Sequence, residues 1–243
     1  MGGYTEYRTR EYNTRLFIYS WKNGLPSNYR VMNVPDELMQ DKNYGEDKLY
    51  LLEQVDWRNN YEGNNMLGAG YAGVNLPFGK WNIYAGVRFE HSRMELISNT
   101  QKNEKSPTSV YYTYDDFFPS LNAAYRLNEQ HQFRLSYGRT VNRPEFREVS
   151  SSVYYDFDLA SNVQGNYDLK AAYIDNIDLG YEYYPSNGEL ISVSLFYKKF
   201  KNPIEWTYTV AGGTDLIYSY INAKGADNYG VEVDIRKNLD FIG

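Results

Sequence analysis

Few side chains in this chain are of types and spacings that could do chemistry. The carboxylate pairs Asp115/Asp116 and Asp156/Asp158 offer the hard oxygen ligands that Ca²⁺ takes. A calcium loop, however, carries denser and more regularly spaced ligands around a turn glycine, so these pairs are expected to be solvated loop charge. His91 and His131 are too few and too scattered for zinc, and the absence of Cys excludes disulfides and thiolate metal sites. Ser151 and Ser152 have no histidine near them in sequence, and a hydrolase needs nucleophile and base on one rim, so neither catalysis nor a cofactor is expected. The better functional candidates are aromatic. Tyr154, Tyr155, Trp206, Tyr208, Tyr218 and Tyr220 lie in long connections and could present flat faces to a sugar, a peptide or a chelate. The competing role for each is packing within the sheet.

The elements that carry them are written in period two. In 131–141, Phe133, Leu135, Tyr137 and Val141 oppose Gln132, Arg134, Ser136 and Thr140. In 173–184, Ile177, Leu179, Tyr181 and Tyr183 oppose Asn176, Asp178, Gly180 and Glu182, and in 189–200 Ile191, Val193, Leu195 and Tyr197 oppose Ser192, Ser194 and Lys198. The cleanest strand follows Pro77-Phe78-Gly79-Lys80, with Trp81, Ile83, Ala85, Val87 and Phe89 on one face. Strands are also expected over 4–20, 64–76, 109–126 and 228–236, about eight in all, with a helical turn at 36–41. Connections alternate long and short: 21–61, 143–172 and 202–227 are long, whereas 77–80, 127–130 and 185–188 are tight. Short turns at one end and long loops at the other are the mark of an antiparallel up-and-down transmembrane β-barrel, with periplasmic turns and extracellular loops. Trp81, Tyr125 and Tyr183, beside the short turns, are expected in the membrane-interface belt.

Bulk properties agree. Of 243 residues, 27 are Tyr and only 11 are Phe, which suits an interface belt or a recognition surface. Mean hydropathy of -0.67 looks soluble, but polar lumen residues and loops dilute a barrel's apolar face. No run approaches the roughly 18 apolar residues of a membrane helix. A net charge of -6 argues against a nucleic-acid partner.

The run Phe133-Arg134-Leu135-Ser136-Tyr137-Gly138-Arg139-Thr140-Val141-Asn142-Arg143-Pro144-Glu145-Phe146-Arg147-Glu148 resembles the barrel of TonB-dependent outer-membrane receptors, particularly those of Bacteroidetes-type bacteria. So do Asp116-Phe117-Phe118-Pro119-Ser120-Leu121-Asn122, Tyr154-Tyr155-Asp156-Phe157, Asn176–Glu182 and Leu195–Glu205, and upstream Ala69–Ala72 and Ala85–Glu90. One departure stands out: the family often has Gly-Asn-Pro-x-Leu in the long loop, where this chain has Gly165-Asn166-Tyr167-Asp168-Leu169. The resemblance implies a bacterial outer-membrane location and uptake of a scarce nutrient, a siderophore, glycan or peptide. Its implied partners are outer-membrane lipid, a plug domain and TonB.

Residues 1–243 are expected to be one partial barrel domain, without plug or closing strands, and unable to transport alone. Met1–Tyr7 does not read as a signal peptide. Arg139, Arg143 and Arg147 could attract an anionic substrate or lipopolysaccharide phosphates, but pairing with Glu145, Glu148 and other acids is the expectation. A self-contained small barrel or soluble β-sandwich that binds carbohydrate is the alternative.

Overall fold

The computed structural model describes residues 1–22, 39–45, 47–213 and 215–238. The turn at 23–28, half of the helical turn expected at 36–41 and the chain's last five residues lie outside these. In chain order the elements are β1 (Gly2–Tyr12), β2 (Leu16–Trp21), β3 (Leu49–Gln54), β4 (Tyr61–Phe78), β5 (Trp81–Asn99), β6 (Pro107–Arg126) and β7 (His131–Asn142). There follow the short helix α1 (Phe146–Val149), β8 (Val153–Asp156), β9 (Ser161–Gln164), β10 (Ala172–Tyr183), β11 (Leu190–Lys201), β12 (Ile204–Gly212), β13 (Asp215–Asn222) and β14 (Gly225–Arg236).

Eight of these strands form one antiparallel sheet in the order β1-β4-β5-β6-β7-β10-β11-β14. This is the expected meander. The other six strands lie outside the meander: β2 and β3 form a separate hairpin, and β12-β13-β9-β8 form a small second sheet, so that all of them but β2 fall in the expected long connections. The strand expected over 4–20 is broken in two, because β1 pairs with β4 whereas β2 pairs only with β3. Between β4 and β5 the turn is only Gly79-Lys80, and Gly79 takes φ 58, the positive value that a two-residue hairpin demands.

Register joins the alternating residues into continuous faces. Trp81, Tyr125, Phe133, Tyr181 and Val193 stand directly opposite one another across five strands. Farther along, Ala123, Leu135, Leu179, Leu195 and Val231 do the same. The apolar outward stretch of β5, Trp81 to Phe89, is nine residues, the length a tilted strand needs to cross a bilayer. Leu76, Val87, Phe117, Leu179, Leu195 and Val233 all remain exposed on it. A soluble sandwich would bury such a face against a second sheet; here the small sheet lies elsewhere, and the apolar face is open.

Past Phe89 the pattern inverts its phase. On β5 the outward residues become His91, Arg93 and Glu95, while the inward ones, Ser92, Met94 and Leu96, are buried. The reason lies above the polar face. There the 143–171 connection folds over the sheet and buries Phe146, Val149, Val163 and Leu169 against Tyr61, Met94, Leu96 and Tyr220. The core therefore sits at the long-loop end, inside the wall. Gly63 gives Phe146 its seat, since a Cβ there would stand 2.6 and 2.9 Å from two of its ring carbons.

Candidate functional site

The site is built by two long connections that close on each other. The 143–171 connection supplies α1, β8 and β9, and the 202–224 connection supplies β12 and β13. They join through a short parallel pairing of β13 with β9, Ile217 opposite Asn162 and Tyr218 opposite Val163. Asn222 reinforces the joint: its Nδ2 donates to the Lys170 and Asn202 carbonyls at 2.9 and 2.8 Å, and its Oδ1 accepts from the Lys170 N–H at 2.7 Å. Asn166 does the same from the other side, Nδ2 donating to the Tyr220 carbonyl at 2.9 Å.

Five of the six aromatic candidates fall on one face of this small sheet. Trp206 is opposite Tyr220 and Tyr208 opposite Tyr218, while Val163 links Tyr218 to Tyr154 in the next row. Ring centroids lie 4.6 Å apart for Trp206 and Tyr220, and 6.0 Å for Tyr208 and Tyr218. Their environments differ. Tyr220 is buried, Tyr154 and Tyr218 pack half-buried against the core, and Trp206 and Tyr208 are exposed at the open end of the ladder. Tyr155 points to the other face, where it meets Phe157 with ring centroids 5.2 Å apart. Burial pushes the Tyr220 hydroxyl well above the usual tyrosine range, and its contact with Tyr154 adds to this, so it stays a neutral donor.

The three arginines divide by role. Arg139 makes a two-pronged pair with Asp175 at 2.9 Å on the outward face. Arg143 reaches Glu90 at 2.7 Å and Asp116 at 2.8 Å, and Tyr173 donates to the same Asp116 at 2.7 Å. The β6–β7 ladder stops at Ser120, next to Pro119, which has no N–H to give. Arg147 has no carboxylate within salt-bridge distance among the described residues; its guanidinium lies 4.7 Å from the Tyr154 ring centroid. The acidic pair at 115/116 is split between His91 (2.8 Å) and Arg143, so it does not converge on a shared point. Asp156 caps its own turn by accepting from the Asp158 and Leu159 N–H groups. Ser151 donates to the Arg58 and Asn99 carbonyls.

The lower wall carries the interface candidates. Trp81 and Tyr125 are cross-strand partners with centroids 4.7 Å apart, and Tyr183 stacks on His131 at 4.6 Å. All three lie on the outward face beside the short turns. On the opposite, polar face Arg134 pairs with Glu182 at 3.2 Å and Ser136 donates to Asp178 at 3.2 Å, around a cavity of about 410 Å³.

Glu148 makes the loop pH-sensitive. Burial raises its carboxyl above the ordinary carboxylate range; the Glu145 N–H, donated at 2.9 Å, offsets part of this, and the Glu145 charge adds to it. A raised folded-state value means the protonated form is favoured in the folded loop. This contribution is full below the unfolded value near 4.3 and is lost as pH rises through the folded value. Glu148→Gln keeps the acceptor and removes the charge. Hydrogen exchange of 143–171 is therefore expected to lose the pH dependence contributed by this residue, with protection at neutral pH at least as strong as before.

The model of the TonB-dependent receptor-like β-barrel matches residues 2–243, essentially the whole chain. The chain belongs to this family. Among solved structures, TonB-dependent receptors share its fold. The hemophore receptor HasR of Serratia marcescens, solved with its hemophore HasA and heme, aligns at a TM-score of 0.56 and 13% identity, over 96% of this chain and 38% of that one. A variant of the ferric enterobactin receptor PfeA of Pseudomonas aeruginosa gives 0.50 and 18%, over 98% and 39%. The siderophore receptor PirA of the same organism gives 0.50 and 18%, over 79% and 42%. The chain thus spans less than half the length of these receptors. No curated protein sequence matches it. Within the family, the Gly165–Leu169 run now has a physical reading. Gly165 lies against the carbonyls that end α1, Asn166 bonds to Tyr220, and Leu169 is buried. Tyr167 stands where the proline is frequent, and its carbonyl accepts the Tyr112 hydroxyl at 2.7 Å.

Proposed function

We propose that this chain is part of the wall and extracellular vault of a TonB-dependent receptor. That receptor sits in a bacterial outer membrane and takes up a scarce nutrient: a siderophore, glycan or peptide. The observation that carries this reading is the family match over residues 2–243 on a sheet whose lower outward face is apolar from strand to strand. The solved neighbours, named for iron carriers and heme and more than twice as long, support a chelate as ligand and a partial wall as the role of these residues. On this reading the plug comes from the rest of the receptor, TonB supplies energy, and transport is not a property of the segment alone. Trp81, Tyr125 and Tyr183 anchor the wall at the inner interface through rings that carry a polar edge. Bacterial growth on single limiting nutrients tests it, with and without the receptor and with TonB removed. At least one ferric chelate, glycan or peptide should lose uptake in both deletions; unchanged growth on all of them would sink the reading.

Tyr154, Tyr155, Trp206, Tyr208, Tyr218 and Tyr220 are the proposed ligand contacts, unequal in kind. Trp206 and Tyr208 offer free ring faces, whereas Tyr220 holds the platform beneath them. Trp206→Ala should weaken binding about tenfold, the order of one lost aromatic contact, while leaving the fold intact. Tyr220→Ala should instead lower the loop's stability by about 3 kcal/mol, as deletion of a large buried side chain does. Ligand titration and thermal unfolding of both variants separate the two roles.

A further inference from the structure

The two edges of the small sheet are unlike. β8, at one edge, has four residues, and Asn59 Oδ1 accepts its first N–H, that of Val153, at 2.9 Å. β12, at the other edge, pairs regularly with β13 from Ile204 to Val210, where the register shifts. Below Ile204 the Ala223 N–H donates to the Pro203 carbonyl at 2.9 Å. Hydrogen-bonded pairs alternate along an antiparallel ladder, so this bond sets the phase of the whole strand. Glu205, Thr207 and Thr209 turn their N–H and C=O groups to β13, and Trp206, Tyr208 and Val210 turn theirs to the free edge. Among the described residues no strand lies against that edge.

Proteins blunt exposed edge strands with Lys, Pro, bulges or inward charges. As far as Val210, β12 carries none of these; its one charged residue is Glu205, exposed and without a salt bridge among the described residues. The open backbone groups belong to the same residues that line the aromatic face. Trp206, Tyr208 and Val210 are all exposed there. Each step of two residues, about 6.7 Å, therefore presents one N–H, one C=O and one free apolar side chain. Sugar hydroxyls and chelate oxygens have no such repeat. An extended polypeptide has it, and main-chain pairing with side chains read alternately is how sheet edges bind peptides.

We propose that the nutrient is a peptide and that it binds in extended form as a strand added to the free edge of β12. Main-chain bonds to Trp206, Tyr208 and Val210 hold it, and every second side chain lies beside the Trp206 and Tyr208 rings. Side chains of the other set pass Glu205, which favours a basic residue there. The assignment rests on the receptor reading above and selects one of its three nutrient classes, since a chelate or a glycan would leave this edge unpaired.

The test is residue-resolved hydrogen exchange of the intact, detergent-purified receptor with a capped heptapeptide, Thr-Lys-Val-Thr-Val-Lys-Thr, at millimolar concentration. Without peptide, the N–H groups of Thr207 and Thr209 should exchange slowly and those of Trp206, Tyr208 and Val210 fast. With peptide, the fast three should slow. N-methylation of the two peptide valines, whose N–H groups then face β12, should weaken binding about tenfold or more, and N-methylation of the two lysines should change it little. Val210→Pro removes one donor from the open edge and should weaken binding about tenfold, whereas Val210→Ala should stay within about twofold. If Val210→Pro fails to fold, the two methylated peptides decide on the parent receptor. No slowing, equal effects of the two methylations, or amides of Trp206, Tyr208 and Val210 already protected without peptide would overturn the proposal. Should TonB-dependent uptake of a non-peptide nutrient then persist, the strand site is wrong and the receptor reading stands.

Discussion

Arg143→Ala is expected to release the whole inward connection from the wall. The side chain is 17% exposed and the carboxylates of Glu90 and Asp116 are 11% exposed each, so all three charges are largely withdrawn from water. Arg88 at 2.6 Å and the Tyr173 hydroxyl hold the remaining carboxylate oxygens, which leaves two cations balancing two anions. Deleting one partner of such a buried set leaves uncompensated charge and costs about 3–5 kcal/mol. The loss should be local, because β4, β5 and β6 are held by long ladders below. Hydrogen exchange should show 143–171 losing protection while 81–89 keeps it. Arg143→Lys should recover only part, since one ammonium cannot reach both carboxylates as a planar fork does. Combining Arg143→Met with Glu90→Gln and Asp116→Asn should restore most of the protection, as replacing a complete buried ion set often does. Unchanged protection in Arg143→Ala would show that the core around Phe146 holds the loop without it.

Gly165→Ala should loosen the same connection, by a smaller amount and for a different reason. A Cβ there would stand 2.6 Å from the Arg147 carbonyl oxygen and 2.9 Å from that of Glu148, and closer still to that of Ser150. These are backbone atoms at the end of α1, so they cannot swing aside as a side chain would. Asn166, next in the chain, also donates its N–H to the Glu148 carbonyl at 2.6 Å, and that bond fixes the approach. Relief requires pulling β9 off α1, at a cost of about 1–3 kcal/mol and loosening of the β9–β13 joint. Limited proteolysis should then cut 150–170 at rates well above the parent. Gly138→Ala is the matched control: nothing lies within 4 Å of its added Cβ, and the variant should behave as the parent.

The wall was legible in the sequence because each strand there has one apolar outward face and one polar inward face, which makes period two visible in the residues themselves. It faded from view above residue 90. There, on β5, His91, Arg93 and Glu95 turn outward into water while Met94 and Leu96 turn inward under the loops, and the inverted phase reads as an end of the strand. The small sheet was hidden for another reason. β8 and β9 are four residues each, and β9 joins the rest of the small sheet through β13, about fifty positions away, so no local periodicity can announce them. Trp206, Tyr208, Tyr218 and Tyr220 stood out by type, yet only the register separated the exposed pair from buried Tyr220. Arg143 was correctly read as paired with acids, but with Glu90 and Asp116 rather than the neighbouring Glu145 and Glu148. The open edge of β12 carried no local signal at all, since it depends on which strands the fold pairs.

If one face of this sheet meets lipid, spin labelling measures it directly. These 243 residues contain no Cys; once any cysteine elsewhere in the intact receptor is replaced, single cysteines can be placed along β5 from 81 to 96, spin-labelled and reconstituted into bilayers. Positions 81, 83, 85, 87 and 89 should be open to oxygen and closed to a water-soluble nickel chelate, with the reverse at 82, 84, 86 and 88. From 91 upward, 91 and 93 should become open to the chelate, while 92, 94 and 96 are closed to both reagents. A chelate accessibility that stays uniform from 81 to 89 would contradict a membrane wall.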